Sequence, residues 1–255
     1  MYLKSGHLFW PQTVPQQETF APLLENAECD VAILGGGVTG ALVAYHLATE
    51  GIRTIVLDKR QPGCGSTAAS TALLLYELDV PLNDLIQQIG ESRAVRAWEL
   101  CRVAIASIKE LVQQLGDDCG FAARESLYLA SREDDVEELR AEYQTRRKYG
   151  FTQDWLDREE IASRYSFQRP AALLTPEAAV INPFRFTRAL LHATMEADAR
   201  VYGNTAVTNV EHQKHGVVLH TQSGSRVMAR KVVYATGYET QQYLPQQLIK
   251  LVELS

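Results

Sequence analysis

The stretch CDVAILGGGVTGALVAYHLATEGIRTIVLDK, residues 29–59, decides the fold. It opens on an apolar run at 31–34, too short for a helix and bounded by glycine, the pattern of a strand buried on both faces. Gly35, Gly37 and Gly40 follow in G-x-G-x-x-G register. The first allows a sharp turn, the second lets backbone approach a pyrophosphate, and the third lets a helix pack closely on the strand. A helix is predicted over 38–50, with free amides and a positive dipole end at the glycine turn and Gly51 as its stop. A second apolar run at 54–57 ends in Asp58, placed to accept hydrogen bonds from ribose hydroxyls. Glycines between a strand and a helix, with a carboxylate closing the next strand, meet the context that a dinucleotide-binding turn requires, against the blander alternative of an ordinary α/β turn. The motif does not choose between NAD and FAD, which carry the same adenosine ribose.

Working outward, 255 residues are enough for one large or two modest domains. The net charge of −6 gives no electrostatic reason to bind nucleic acid or an anionic membrane. Cys29, Cys64, Cys101 and Cys119 show no C-x-x-C spacing, so neither a zinc site nor a disulfide framework is indicated and a reducing cytoplasmic setting is expected. The opening MYLKSGHLFWPQTVP lacks the continuous apolar core of a signal peptide, and no run approaches membrane-spanning length. Residues 1–28, with Pro11, Pro15, Pro22 and the aromatics Phe9, Trp10 and Phe20, read as an extended arm whose aromatics pack on the body. A role as an active-site cover is the less favoured reading of a terminus.

After Asp58 comes KRQPGCGSTAASTALLLYE, in which Ser66 and Thr67 either cap a helix or bring hydroxyls and amides to a second phosphate; both can hold at once. Helices are predicted over 81–89 and 91–115, the second with Val95, Trp98, Cys101, Ile105, Ile108, Val112 and Leu115 in one apolar stripe, read as the packed wall of a domain. RESLYLAS, 124–131, reads as a strand. The following helix starts acidic and ends basic at Arg140, Arg146, Arg147 and Lys148, which complements its dipole and suits a solvated helix. Asp157 and Glu160 have capping-box spacing. Strand pieces at 171–175 and 178–181 are separated by Pro176, and Asn182-Pro183 opens a helix to about residue 197. Short strands at 205–211, 217–221 and 226–228 precede a buried strand at 231–235 that ends in Ala235-Thr236-Gly237, where a glycine lets the chain pass close to a ligand. His212, His215 and His220 lie on a hairpin without ordered cysteines or carboxylates, so no metal site is assigned.

Three features taken together resemble the opening of the flavin-dependent amine and amino-acid oxidases, the group of D-amino-acid, glycine, sarcosine and γ-glutamylputrescine oxidases. They are the glycine strand-turn-helix, the D-K-R of 58–60, and the loop G-x-G-S-T-x-x-S-T-A-L-L of 63–74. AAVINPFRFTRALL, 178–191, is similar to that family's return from substrate domain to flavin domain. Many members carry S-G-R-N-G-G where this chain has S-T-A-A-S-T-A, and no histidine stands where a covalent flavin link is expected; Cys64 there is read as filling the loop.

The resemblance implies an α/β fold with an α+β insertion. A Rossmann-like FAD-binding domain, parallel sheet plus β-meander, would occupy 29–120 and 183–255, and part of an antiparallel-sheet substrate domain 121–182. It implies FAD, with Gly35, Gly37, Val38, Thr39 and Gly40 at the pyrophosphate, Asp58 on the ribose and Lys59 near adenine. Ser66 and Thr67 would meet the second phosphate region, Val207 adenine, and Thr236 and Gly237 the cofactor's side. A nicotinamide dehydrogenase would continue with a second strand-helix-strand half instead of helices and a meander. The implied reaction moves hydride from the amine-bearing carbon of a small-molecule amine or amino acid to flavin, with oxygen or another acceptor following. No catalytic base is assigned; Arg124 and Tyr128, on the substrate-domain strand, are weak candidates for a substrate carboxylate. Complete members continue well past the A-T-G turn, whereas this chain stops at LIKLVELS, so a front fragment is expected. The alternatives carried beside the enzyme are a non-catalytic dinucleotide-binding fragment and an NAD-dependent dehydrogenase.

Overall fold

Strand β1 (Ala27–Leu34) lies at the centre of the larger sheet in a computed structural model that describes residues 6–14 and 18–243. It pairs in parallel with β2 (Thr54–Leu57) on one side and with β10 (Arg226–Tyr234) on the other. Beyond β2 lies β7 (Arg200–Tyr202), again parallel; beyond β10 come β9 (Gly216–Thr221) and β8 (Val207–Gln213), both antiparallel. The expected parallel sheet with a β-meander is therefore present, in the order β7-β2-β1-β10-β9-β8. β1 begins before the apolar run, because at its start Ala27 and Cys29 are buried while Glu28 is exposed, an alternation that marks one covered face. β10 is one strand where the sequence suggests two. Arg230 and Lys231 interrupt its apolar pattern, but the backbone ladder to β1 runs on through Lys231 opposite Val31.

Helix α2 (Val38–Thr49) packs on α7 (Pro183–Glu196), and its buried residues are all small, Gly40, Ala41, Ala44 and Ala48. α7 starts as predicted: Asn182 Oδ1 accepts from the amides of Phe184 and Arg185 at 3.2 and 3.1 Å, with Pro183 in the first turn. The arm carries a four-residue helix α1 (Phe9–Gln12), and its Phe20 and Leu23 are buried. The backbone of Phe20 exchanges two hydrogen bonds with the side-chain amide of Gln61, and Leu23 N–H donates to Thr205 Oγ1 at 3.0 Å.

The residues up to Thr71 and from Asn182 onward form this first unit; Ala72–Ile181 form a second. The division thus falls at 71/72 and not at the 120/121 expected from the sequence. The cause is the core of Tyr76, Leu82, Ala94, Trp98 and Phe151, which holds α3 (Leu82–Ile89) and α4 (Glu91–Leu115) in the second unit. Its antiparallel sheet is built on β6 (Ala171–Val180), flanked by β4 (Ala122–Leu129) along one edge and by β5 (Asp154–Asp157) and β3 (Leu73–Leu74) along the other. β6 runs through Pro176, which sequence analysis treated as a break. Glu125 alone lies opposite Pro176 and Glu177, a bulge between Arg124 and Ser126, and Pro176 falls between the segments paired with β5 and β3, so its missing N–H costs no ladder bond. β5 escaped notice because its two apolar residues are too few to alternate. The capping box is as expected: Asp157 Oδ1 accepts from the amides of Glu159 and Glu160, and Glu160 Oε2 from that of Asp157, opening α6 (Arg158–Arg164).

The charged helix α5 (Val136–Lys148) is not wholly solvated. Leu139, Glu142 and Arg146 share its inner face, and both charged residues are 2% exposed. Arg146 Nε meets Glu142 Oε1 at 2.7 Å, its Nη1 meets Glu77 Oε1 at 2.8 Å, and the guanidinium lies over the Trp98 ring at 4.7 Å. Glu142 also accepts from the amides of Leu82 and Asn83, capping α3 from outside the helix. Removing one member of so buried a set strands the others, at a cost of about 3–5 kcal/mol. Arg146→Met is accordingly expected to lower unfolding free energy by about that amount in urea titrations, and a loss under about 1 kcal/mol would show the set to be dispensable.

Candidate functional site

The carboxyl ends of β1, β2 and β10 converge on the glycine turn, the place where an open parallel sheet receives a ligand. Gly35 has φ +101, and a Cβ there would lie 2.5 Å from the carbonyl oxygen of Ala235; one on Gly40 would lie 1.9 Å from that of Gly35. Only glycine allows both approaches. Gly37 is the N-cap of α2 and has no side chain to satisfy the helix's first amides. Thr67 supplies one partner from the turn of Ser66–Ala69: its Oγ1 accepts from Val38 N–H at 2.9 Å. Thr67 thus caps, as sequence analysis allowed, but it caps α2 and not a helix of its own.

Asp58 sits at the end of β2 with both carboxylate oxygens held by backbone: Oδ2 accepts from Gly36 N–H and Oδ1 from Arg60 N–H, each at 2.8 Å. Burial raises its pKa above the usual carboxylate value, against the opposing pull of the Arg60 and Gly36 amides and of the Arg60 and Lys59 charges. Its own backbone is tied on both sides, N–H to Tyr202 O at 2.9 Å and carbonyl to Thr205 N–H at 2.7 Å.

These groups enclose a cavity of about 290 Å³. Gly35, Gly37, Asp58, Lys59, Ser66, Thr67, Val207, Thr236 and Gly237 line it, while Val38, Thr39 and Gly40 form the first turn of α2 behind the lining. Lys59 reaches Glu239 Oε2 at 2.5 Å, and Arg60 Nη2 lies 3.6 Å from Glu239 Oε1. Burial pushes Glu239 up, but the hydrogen bond and charge of Lys59 and the charge of Arg60 outweigh it and hold its carboxyl below the usual range. The carbonyl of Val207 accepts from Tyr243 Oη at 3.3 Å, and Thr236 Oγ1 shares a hydrogen bond with Thr240 Oγ1 at 2.9 Å. Arg60, Cys64, Thr205, Glu239 and Tyr243 also line the cavity and were not singled out as binding residues. Arg60 was foreshadowed by its place beside Lys59; Glu239 and Tyr243 meet their partners across the fold and leave no local pattern. Leu8, from the arm, lines the cavity too.

His212 Nε2 lies 3.3 Å from Tyr234 Oη and His220 Nε2 lies 3.5 Å from Glu211 Oε2. In the second unit, Tyr128 lines a separate cavity of about 280 Å³ whose other polar walls include Asp84, Asp135, Glu138 and Glu142, a setting that repels a carboxylate. Arg124 is exposed and donates to Ala123 O.

The fold and the glycine-Asp58 cavity have the form of a dinucleotide-binding protein, and comparison with known proteins gives the family. The profile of the FAD dependent oxidoreductase family (DAO) matches residues 30–253, and the chain belongs to that family. It is 28% identical to glycine oxidase of Geobacillus kaustophilus over 82% of this chain and 54% of that protein. It is also 28% identical to gamma-glutamylputrescine oxidoreductase of Escherichia coli K12, over 85% and 50%, and 26% identical to a putative Rieske 2Fe-2S iron-sulfur protein of Bacillus subtilis, over 90% and 44%. The crystal structure of the Geobacillus glycine oxidase aligns with a TM-score of 0.69 at 27% identity, covering 85% of this chain and 57% of that one. The chain therefore spans about half the length of the relatives it matches. Of the two dinucleotides that the glycine turn left open, the family uses FAD.

The cavity fits that cofactor: its wall at the helix mouth is bare backbone, where a Cβ on Gly37 would crowd Thr67 Oγ1 at 3.0 Å, and the Asp58 carboxylate stands in the same lining. Since the folded-state pKa of Asp58 is raised, its contribution to stability is complete below the unfolded aspartate value of about 3.9 and is lost as pH rises through the folded-state value. Asp58→Asn is expected to flatten this limb in urea titrations run at rising pH from about 4, the unfolded aspartate value, and an unchanged slope would assign it to other groups.

Proposed function

We propose that this chain is the FAD-holding part of an oxidoreductase that oxidises the C–N bond of an amine or amino acid by hydride transfer to flavin. The observation that carries the reading is the cavity at the carboxyl ends of the parallel strands, closed by Cβ-free backbone at Gly35 and Gly37 and by the inward carboxylate of Asp58. In it the mouth of α2 faces the pyrophosphate and Asp58 the adenosine ribose. Lys59 and Val207 border adenine, Ser66 and Thr67 the second phosphate, and Thr236 and Gly237 the side of the cofactor. FAD, when bound, supplies the acceptor for the hydride leaving the amine-bearing carbon. The names of the glycine and gamma-glutamylputrescine enzymes support a small amino acid or amine as substrate. Oxygen or another oxidant is the final acceptor in this proposal. Among the described residues no helix is long and apolar enough to cross a membrane, and no cysteine pairs in a disulfide, which supports a cytoplasmic setting.

A second reading, a dinucleotide-binding piece without turnover of its own, is favoured by the coverage of about half of each relative. Visible spectroscopy separates the two. The protein titrated with FAD is expected to acquire a bound-flavin spectrum that bleaches anaerobically with glycine, N-methylglycine or a γ-glutamyl polyamine. Bound flavin that never bleaches would select the second reading. A folded protein that leaves FAD free in solution would overturn both.

A further inference from the structure

Lys59 and Arg60 follow Asp58 directly, so two cations stand next to the carboxylate that the proposed function places on the adenosine ribose. A basic side chain in that place is what accommodates a phosphate on the ribose 2′-oxygen. In this chain both cations already face a carboxylate. Glu239 reaches back from the turn of Gly237–Tyr243 and divides its carboxylate between them, Oε2 to Lys59 Nζ at 2.5 Å and Oε1 to Arg60 Nη2 at 3.6 Å. All three residues line the cavity. Tyr243, at the far end of the same turn, donates to the carbonyl of Val207 on the rim, and Thr240 in the turn shares a hydrogen bond with Thr236 just before it. With Asp58 and Glu239 ionised, the four charges at this end sum to zero; without Glu239 they would sum to one positive charge. We propose that Glu239 is a specificity-determining residue: it occupies Lys59 and Arg60 so that the cavity takes an adenine nucleotide with a free ribose and rejects one carrying a 2′-phosphate. An incoming 2′-phosphate would have to displace one carboxylate while facing another, whereas a ribose hydroxyl donates to Asp58 and leaves the ion pairs in place.

The inference rests on the assignment of Asp58 to the ribose, so its test separates the two claims. AMP and adenosine 2′,5′-bisphosphate, which differ only in the 2′-phosphate, are titrated calorimetrically into the protein, freed of any flavin it carries, and into Glu239→Gln. The native protein is expected to bind AMP and to hold the bisphosphate roughly ten- to hundredfold more weakly, the range of one charge-assisted contact. Glu239→Gln is expected to keep its AMP affinity within a few-fold and to bring the two ligands close to parity. A variant that binds AMP normally and keeps the full preference overturns the role of Glu239. Failure of the native protein to bind AMP overturns the ribose assignment itself. Arg60→Gln supplies the check should the first variant unfold: with Glu239 less compensated, discrimination against the bisphosphate is expected to rise, and a fall or no change overturns the proposal.

Discussion

The architecture turns on the meeting of α2, the turn after β1 and the end of β10 at one point where glycines leave backbone against backbone. Gly40 sits where a Cβ would overlap the Gly35 carbonyl, and Gly35 where one would overlap the Ala235 carbonyl. Backbone packed on backbone sets the direction of the helix, and with it the direction of the helix dipole. It also fixes the amide of Gly36 opposite Asp58 and that of Val38 opposite Thr67, so the cavity wall is a consequence of how strand and helix touch. A methyl group at either position would separate the elements before it disturbed any ligand.

Features governed by neighbours in sequence could be read directly. The glycine register, the Asn182-Pro183 helix start and the Asp157-Glu160 capping box depend on spacings of a few residues, and each appears in the structure with its partners in place. Features governed by distant neighbours could not. Arg146 looked like one more basic residue at a helix end, and only the packing of α5 shows that it shares an inner face with Leu139 and Glu142. Pro176 looked like a break because nothing local reveals a bulge opposite it. The boundary at 71/72 was hidden for the same reason: α3 and α4 are ordinary amphipathic helices, and the aromatic core that claims them joins Tyr76 to Phe151. In the cavity, the strand ends and glycines were legible while Glu239, Thr205 and Tyr243 were not.

The electrostatics of the cavity follow one scheme. Its four charged side chains sum to zero within the chain, Asp58 and Glu239 against Lys59 and Arg60, with two amides holding Asp58 and the ion pairs holding Glu239. What remains for an anionic ligand is the field of oriented peptide groups at the mouth of α2, which holds its direction without reorganising. A protein of net charge −6 can in this way turn a favourable field toward an anion without a basic surface.

The position of β10 carries a consequence for the time at which this architecture can exist. β1 lies between β2, complete at residue 57, and β10, which ends at residue 234. During synthesis at roughly 5–20 residues per second, the flank of β1 that β10 covers stays open for many seconds after β1 and β2 have left the ribosome. Capture of a coenzyme is therefore a late event in the life of the nascent chain, and an apolar strand awaiting its neighbour is the interval in which a chaperone has something to hold.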